Sequence, residues 1–138
     1  GNGRGTGGVG TGKGSTPRKA LQAALRNAKR DMLSIKLYEN RTIFHDLTGY
    51  HNNCKVLLRA APAGMGIRAG KVVVSICDVL GIRDCVSKVF GRQNKYSQVL
   101  ATFKSFENHR SIDEIGRARG KTLLDVNEIM REKRVAMR

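Results

Sequence analysis

The stretch from Arg59 to Lys71, R-A-A-P-A-G-M-G-I-R-A-G-K, carries the clearest chemistry in this sequence. An apolar strand pattern, Cys54 to Ala60, runs into the turn Pro62-Ala63-Gly64-Met65-Gly66, and a helical pattern begins near Ala69. Glycines allow close backbone approach, and the start of a helix leaves unpaired N–H groups at the positive end of its dipole. Arg59, Arg68 and Lys71 set three positive charges around that seat. A phosphate is the anion this arrangement suits, carried by a nucleotide or by a nucleic-acid backbone.

A second glycine-rich stretch, residues 1 to 16, holds eight of the sixteen glycines. Gly3-x-Gly5-x-x-Gly8 fits a dinucleotide fingerprint, and Gly7-x-x-x-x-Gly12-Lys13 fits most of a P-loop. Both lack their context: no apolar strand precedes them, and Gly14 stands where a P-loop needs a Ser or Thr hydroxyl for magnesium. The bland reading is a glycine-rich turn and strand edge lying close to something, with RNA backbone one such neighbour. An ATP-binding enzyme remains as an alternative, with Gly7 to Lys13 as its phosphate loop and Asp78, at the end of V-V-V-S-I-C-D, as its magnesium carboxylate. The two readings separate on secondary structure, since the enzyme needs a strand over Val72 to Cys77 and the binding protein a helix.

The charge is decisive for partner class. Twenty-six Lys and Arg against 11 Asp and Glu give +15, far more than solubility requires, so the expected partner is a polyanion. With 138 residues, 40% apolar content, 5% aromatics and no Trp, the chain suits one ordinary domain or two small ones with an aliphatic core. No run of 18 apolar residues occurs, so no membrane-spanning helix is expected. Cys54, Cys77 and Cys85 sit in apolar patterns and read as buried free thiols. No C-x-x-C or H-x-x-x-H spacing occurs, and His45, His51 and His109 are scattered, so neither a metal nor any other cofactor is expected.

These residues require positioning elements. Thr16 and Pro17 make an N-cap and a first helical residue, opening a helix to about Met32 with Leu21, Ala24, Leu25, Ala28 and Met32 on one face and basic residues on the other. Ser34 to His45 suits a hairpin or two short strands, and Asp46 to Asn53 reads as a turn around Gly49. Ala69, Val72, Val73, Ile76, Val79 and Leu80 form a helical stripe closed by Gly81. Ile82 to Phe90 is a further strand. Gly91 to Asn94 turns into a helix expected to pack Tyr96, Val99, Leu100, Phe103 and Phe106. Ser111-x-x-Glu114 and Thr122-x-x-Asp125 are capping-box patterns for two short tail helices.

Over nearly its whole length the chain resembles the universal small-subunit ribosomal protein five family. The matching pieces are G-N-G-R-G with Gly12-Lys13, the helix A-L-Q-A-A-L-R-N-A-K-R-D-M, the strand K-V-L-L-R-A-A-P, the loop G-M-G-I-R-A-G, the segment V-L-G-I-R-D-C-V-S-K-V-F-G and the tail R-G-K-T. The resemblance implies an α+β fold. Residues 1–33 would be the end of a double-stranded-RNA-binding-like domain whose two preceding strands lie upstream of Gly1. Residues 34–110 would form a sheet with two helices joined by a left-handed crossover, and residues 111–138 a helical tail. That second fold is shared with small-molecule kinases whose phosphate loop is similar to Pro62-x-Gly64-x-Gly66, although Ile67, Arg68 and Ala69 replace their serines.

The implied function is structural: binding ribosomal RNA in the small subunit near the messenger entry path, beside proteins four and eight, without catalysis. The residues expected at phosphates are Arg4, Lys13, Arg18 and Lys19 in the first part and Arg59, Arg68, Lys71, Lys88, Arg92 and Lys95 in the second. A free-standing RNA-binding protein is a further alternative. Lys71 in place of a second glycine, and Arg68 in place of a less polar residue, depart from bacterial members, whereas Tyr38 to Asp46 and S-I-C-D-V-L-G-I-R-D resemble mitochondrial ones, so a mitochondrial matrix ribosome is expected and the bacterial cytoplasm is the alternative.

Overall fold

The structure is a computed structural model that describes residues 1–124 and 126–136. Among the described residues it is a mixed α+β arrangement of a two-stranded sheet, a four-stranded sheet and five helices, of which the first three contact the sheets.

The first strand, β1 (Thr6–Gly8), leads through an extended segment to helix α1 (Pro17–Arg30). The N-cap is as expected, with the Lys19 N–H donating to Thr16 Oγ1 at 3.4 Å. The helix stops at Arg30, before the expected Met32, because Met32–Ser34 forms strand β2. This strand pairs antiparallel with β1, Thr6 opposite Ser34 and Gly8 opposite Met32. The exposed edge of β1 offers these residues a ladder, and Leu33 packs on the main core. Between β1 and α1 the chain lies directly on the helix. A Cβ at Gly8, Gly10 or Gly12 would strike the carbonyl oxygens of Ala28, Ala24 or Ala20, respectively. Every second residue of the extended segment thus meets every fourth residue of the helix, and only Gly opposite Ala permits that approach.

In the larger sheet, β3 (Leu47–His51), β4 (Cys54–Ala60), β5 (Ile67–Arg68) and β6 (Cys85–Gly91) lie in the order β3-β4-β6-β5. The turn expected around Gly49 is instead strand. The reversal is confined to Asn52 and Asn53, whose φ values of 44° and 59° match a two-residue type I′ hairpin. The expected hairpin from Ser34 to His45 reduces to one bridge, Tyr38 to Thr42, because Ile35 and Ile43 on either side are drawn into the core.

Helix α2 (Lys71–Leu80) carries three consecutive valines, yet Val73, Ile76, Cys77 and Leu80 are its buried residues, a spacing only a helix satisfies. It connects β5 to β6, which pair in parallel with Ile67 opposite Cys85. Helix α3 (Lys95–Glu107) packs Phe106, Val99 and Phe103 as expected, but its most buried face is shifted toward small residues. Ser97, Ala101, Thr102, Ser105 and Phe106 are buried, whereas Tyr96 is half exposed. Gly49 is the reason: a Cβ there would strike the Ala101 carbonyl and lie 2.8 Å from the Ser105 nitrogen, so small residues must face β3. The buried hydroxyls remain satisfied, Thr102 donating to the Gln98 carbonyl and Ser105 to the Thr102 carbonyl, both at 2.7 Å.

The core joins Val56, Leu58, Ile82 and Cys85 to Val73, Cys77, Leu80, Ala101 and Phe106. All three cysteines are free and buried. A hydrogen bond to Cys85, with burial, pushes the Cys77 thiol well above its usual range. At the other end of α2 the two halves meet: Gly3 N–H donates to the Val79 carbonyl (3.1 Å) and Gly5 N–H to that of Leu80 (2.7 Å), capping the last turn. Helix α4 (Ile112–Arg119) opens on the expected capping box, with Glu114 N–H donating to Ser111 Oγ and Ser111 N–H to Glu114 Oε2. The second box ends on Asp125, which lies outside the described residues. Helix α5 (Val126–Ala136) follows.

Candidate nucleic-acid interface

The glycine loop is occupied by the protein's own anion. The Gly66 N–H donates to Asp84 Oδ1 at 2.7 Å, and Arg41 Nη1 donates to Asp84 Oδ2 at 3.0 Å and to the Ala61 carbonyl at 3.1 Å. Arg41 also pairs with Glu39 at 3.0 Å. The Gly66 amide and the Arg41 guanidinium hold the Asp84 carboxyl below its usual range. The Gly66 end of the expected phosphate cradle is therefore a clamp on the buried Asp84 that ties the Tyr38–Thr42 turn, the glycine loop and the start of β6 together, while Pro62 to Met65 remain exposed. Sequence reading missed Asp84 and Arg41, because the clamp is long-range and no local spacing announces it.

The seat at α2 is separate from that loop and remains open. Gly70 caps the helix without a side-chain hydrogen bond, the first turn contains no acidic residue, and nothing lies within 4 Å of where a Gly70 Cβ would stand. Lys71 is exposed at the first helical position and Arg68 ends β5 just before it.

Strand register assembles the remaining charges. The helices cover one face of the four-stranded sheet, and the other face is bare. Its first row across the strands is Tyr50, Lys55 and Phe90; the second is Thr48, Leu57 and Lys88; the third is Arg59, Val86 and Arg68. Arg59, Arg68 and Lys88 are thus brought onto one surface. Lys55, Tyr50 and Phe90 join them and were missed as site residues; alternation already turned Lys55 outward, but which strands flank it is a matter of register. Lys55 Nζ lies 5.5 Å from the Tyr50 ring centroid. The acid beside this face is Asp46, 3.3 Å from Arg59 Nε with both side chains more than half exposed.

The other expected residues are exposed but belong to other surfaces. Arg92 lies in the turn after β6, and Lys95 starts α3. Gly14 lies against Lys19 and Ala20 of α1, so Lys13 precedes a close approach of the chain to the first turn that carries Arg18 and Lys19. Arg4 shares a cleft of about 610 Å³ with Arg83, Asn40 and Asp78.

The ATP-site alternative fails on its own discriminator. Val72 to Cys77 is helix, Asp78 is exposed on it, and Gly8, Gly10 and Gly12 are pressed on α1 rather than wrapped around an empty cradle. Among the described residues no helix is long and apolar enough to cross a membrane.

One histidine pair joins the α3–α4 junction to the segment before β3. His45 and His109 stack with ring centroids 5.5 Å apart. Phe44 N–H donates to His109 Nε2 (3.3 Å) and Arg110 N–H to His45 Nε2 (3.2 Å), so both Nε2 atoms act as acceptors. Burial, then the neighbouring His45, hold His109 below its usual value.

Comparison with known proteins finds two family models. "Ribosomal protein S5, N-terminal domain" matches residues 1–36, and "Ribosomal protein S5, C-terminal domain" matches residues 49–119. A similar protein named small ribosomal subunit protein uS5, from Azorhizobium caulinodans, is 39% identical over 135 residues, covering 98% of this chain and 71% of its own. Proteins of the same name from Ruegeria pomeroyi and Acidovorax sp. are 37% and 39% identical over 126 residues, covering 91% of this chain and 66% and 72% of theirs.

Proposed function

The chain belongs to the ribosomal protein S5 family, and from that premise we propose that it is a structural constituent of the small ribosomal subunit that binds ribosomal RNA. It performs no catalytic step of its own. The observation that carries the RNA-binding reading is the bare sheet face with Lys55, Arg59, Arg68 and Lys88, beside the open N-terminus of α2. Cationic side chains and helix N-terminal amides grip phosphate without reading bases, which suits A-form RNA, whose deep groove excludes side chains.

Several finer points belong to the same proposal. Residues 1–33 act as part of a double-stranded-RNA-binding-like unit, with Arg4, Lys13, Arg18 and Lys19 on phosphate. Residues 34–110 form the second unit, in which the β5–α2–β6 connection is left-handed and Lys71, Arg92 and Lys95 add phosphate contacts; residues 111–138 serve as the tail. The neighbours are proteins four and eight, close to the messenger entry path. The ribosome is mitochondrial, a reading supported by the Tyr38 to Asp46 segment and Lys71; the relatives reported above are bacterial, and a bacterial ribosome is the alternative.

Sedimentation tests the reading. The tagged chain expressed in cells co-migrates with small subunits through a sucrose gradient, and in a fractionated eukaryotic cell it does so in the matrix. A chain that stays at the top of the gradient while still binding RNA would be a free-standing RNA-binding protein instead.

A further inference from the structure

The first row of the bare face differs in kind from the other two. Tyr50 is 60% exposed and Phe90 47% exposed, and in direct register they flank Lys55 on three adjacent strands. Strands lie about 4.8 Å apart, so Tyr50 and Phe90 spring from backbones about 10 Å apart on either side of Lys55, whose Nζ lies over the Tyr50 ring. The row forms one side of a cleft of about 600 Å³ that Asn52, Asn53 and Lys104 also line. The two rings are set among cations and amides rather than among apolar neighbours, the mixture of π-faces and positive charge that a single nucleic-acid strand uses. The second row continues the pattern with the partly buried Leu57 beside the exposed Lys88.

We propose that this row is a stacking platform for an unpaired polynucleotide strand: bases lie on Tyr50 and Phe90, and Lys55, Lys88 and Arg59 hold the phosphates. That the strand is RNA rests on the ribosomal reading above; that it is unpaired rests on the face itself. A duplex buries its bases in its own stack and offers only phosphate and sugar to a flat sheet, which would leave both rings uncovered. A splayed strand has free π-faces for the rings and one phosphate per nucleotide for the cations. The charge is complementary: among the described residues no ion pair engages Lys55 or Lys88, and Arg59 shares its charge with the exposed Asp46, a pair a phosphate can displace. The amides of Asn52 and Asn53, at the hairpin tip, supply donors and acceptors at the rim of the cleft for base edges.

The test uses the full chain and two labelled probes read by fluorescence anisotropy: an oligouridine of about ten nucleotides and an RNA duplex of about 16 base pairs. Tyr50→Ala and Phe90→Ala each weaken oligouridine binding about fivefold to a hundredfold. Neither changes the salt slope, and duplex binding is little altered. Tyr50→Phe and Phe90→Tyr keep the rings and the affinity, which separates stacking from misfolding. Lys55→Gln lowers the oligouridine salt slope by about 0.7. Oligouridine affinity unchanged in both alanine variants overturns the proposal, as does an equal loss for duplex and single strand. Unchanged oligouridine binding with loss of co-sedimentation would mean that the rings dock a protein, which also overturns it. A wild-type chain that shows the stacking pattern but fails to sediment with small subunits would leave the platform standing and remove the ribosomal reading alone.

Discussion

The Gly66 amide donates to the Asp84 carboxylate at 2.7 Å, so the loop that carries the best anion-binding spacing in the sequence closes on an anion built into the fold. Arg41, on the other carboxylate oxygen, shares the charge and reaches across to the Ala61 carbonyl. The Gly66 and Met65 amides are thus used inside the fold, on Asp84 and on the Pro62 carbonyl, and the adjacent cations Arg59 and Arg68 are left on the solvent side.

Removing the carboxylate should loosen that loop first. In the native state Asp84 titrates below the ordinary value of about 3.8, so its contribution is complete above pH 3.8 and is lost as the pH falls through the depressed folded value. Asp84→Asn lowers the urea midpoint at pH 7 and also flattens its acid dependence below pH 4. Asp113→Asn, an exposed control in the first turn of α4, costs much less at neutral pH. Equal midpoints for Asp84→Asn and wild type at pH 7 would refute the clamp.

The histidine pair gives a second, separate pH response. His109 titrates below its ordinary value of 6.5 because of burial and the facing His45, while Glu114 pulls the other way. The unfolded chain then binds more protons than the folded one between the two values, so stability is full above about pH 6.5 and falls as the pH drops from there to the folded value, levelling below it. Protonation also removes the Nε2 acceptor that Phe44 N–H uses. His109→Gln should flatten urea midpoints between pH 7 and pH 5, and an undiminished slope in that variant would place the effect elsewhere.

Gly49→Ala tests why α3 turns small residues to the sheet. Overpacking of a tight contact costs about 1–3 kcal/mol, and here the new methyl meets the backbone of Ala101 and Ser105, which cannot rotate away. The urea midpoint falls with an unchanged slope if the fold is kept. A neutral Gly49→Ala would mean that the strand and helix are farther apart than described.

The limits of sequence reading follow from the range of each signal. The caps at Thr16 and Ser111 and the helical state of α2 depend on neighbours within about one turn of helix and were legible; of the expected α2 stripe Val73, Ile76 and Leu80 are buried, whereas Val79 is exposed and Cys77 takes its place inside. Met32, the first residue of β2, was read as the end of α1 because it continues the helical stripe; only the free edge of β1, more than twenty positions away, favours the extended form. The packed face of α3 was read from its large side chains, although the choice is made by Gly49 on another strand. The exposed cations were identifiable by type. Their sorting into a sheet-face group of Arg59, Arg68 and Lys88 and scattered others required the register, and the Tyr50–Lys55–Phe90 row depended on it entirely.

Salt dependence provides the broadest test of the interface. Each phosphate neutralised releases condensed counterions, so log affinity falls against log salt by about 0.7 to 0.9 per contact, and about six contacts give a slope of about 4 to 5. Lys88→Gln removes one cation from the middle row of the bare face without touching the core, since its side chain is exposed on β6. It should lower the slope for structured RNA by about 1 and weaken all sequences alike, because a phosphate contact carries no base information. Lys121→Gln, an exposed cation just beyond α4 and in none of the three rows of the sheet face, should leave the slope unchanged if that face is the surface in use. The informative failure is the reverse pattern, a slope lowered by Lys121→Gln and untouched by Lys88→Gln, which would move the RNA from the sheet to the tail.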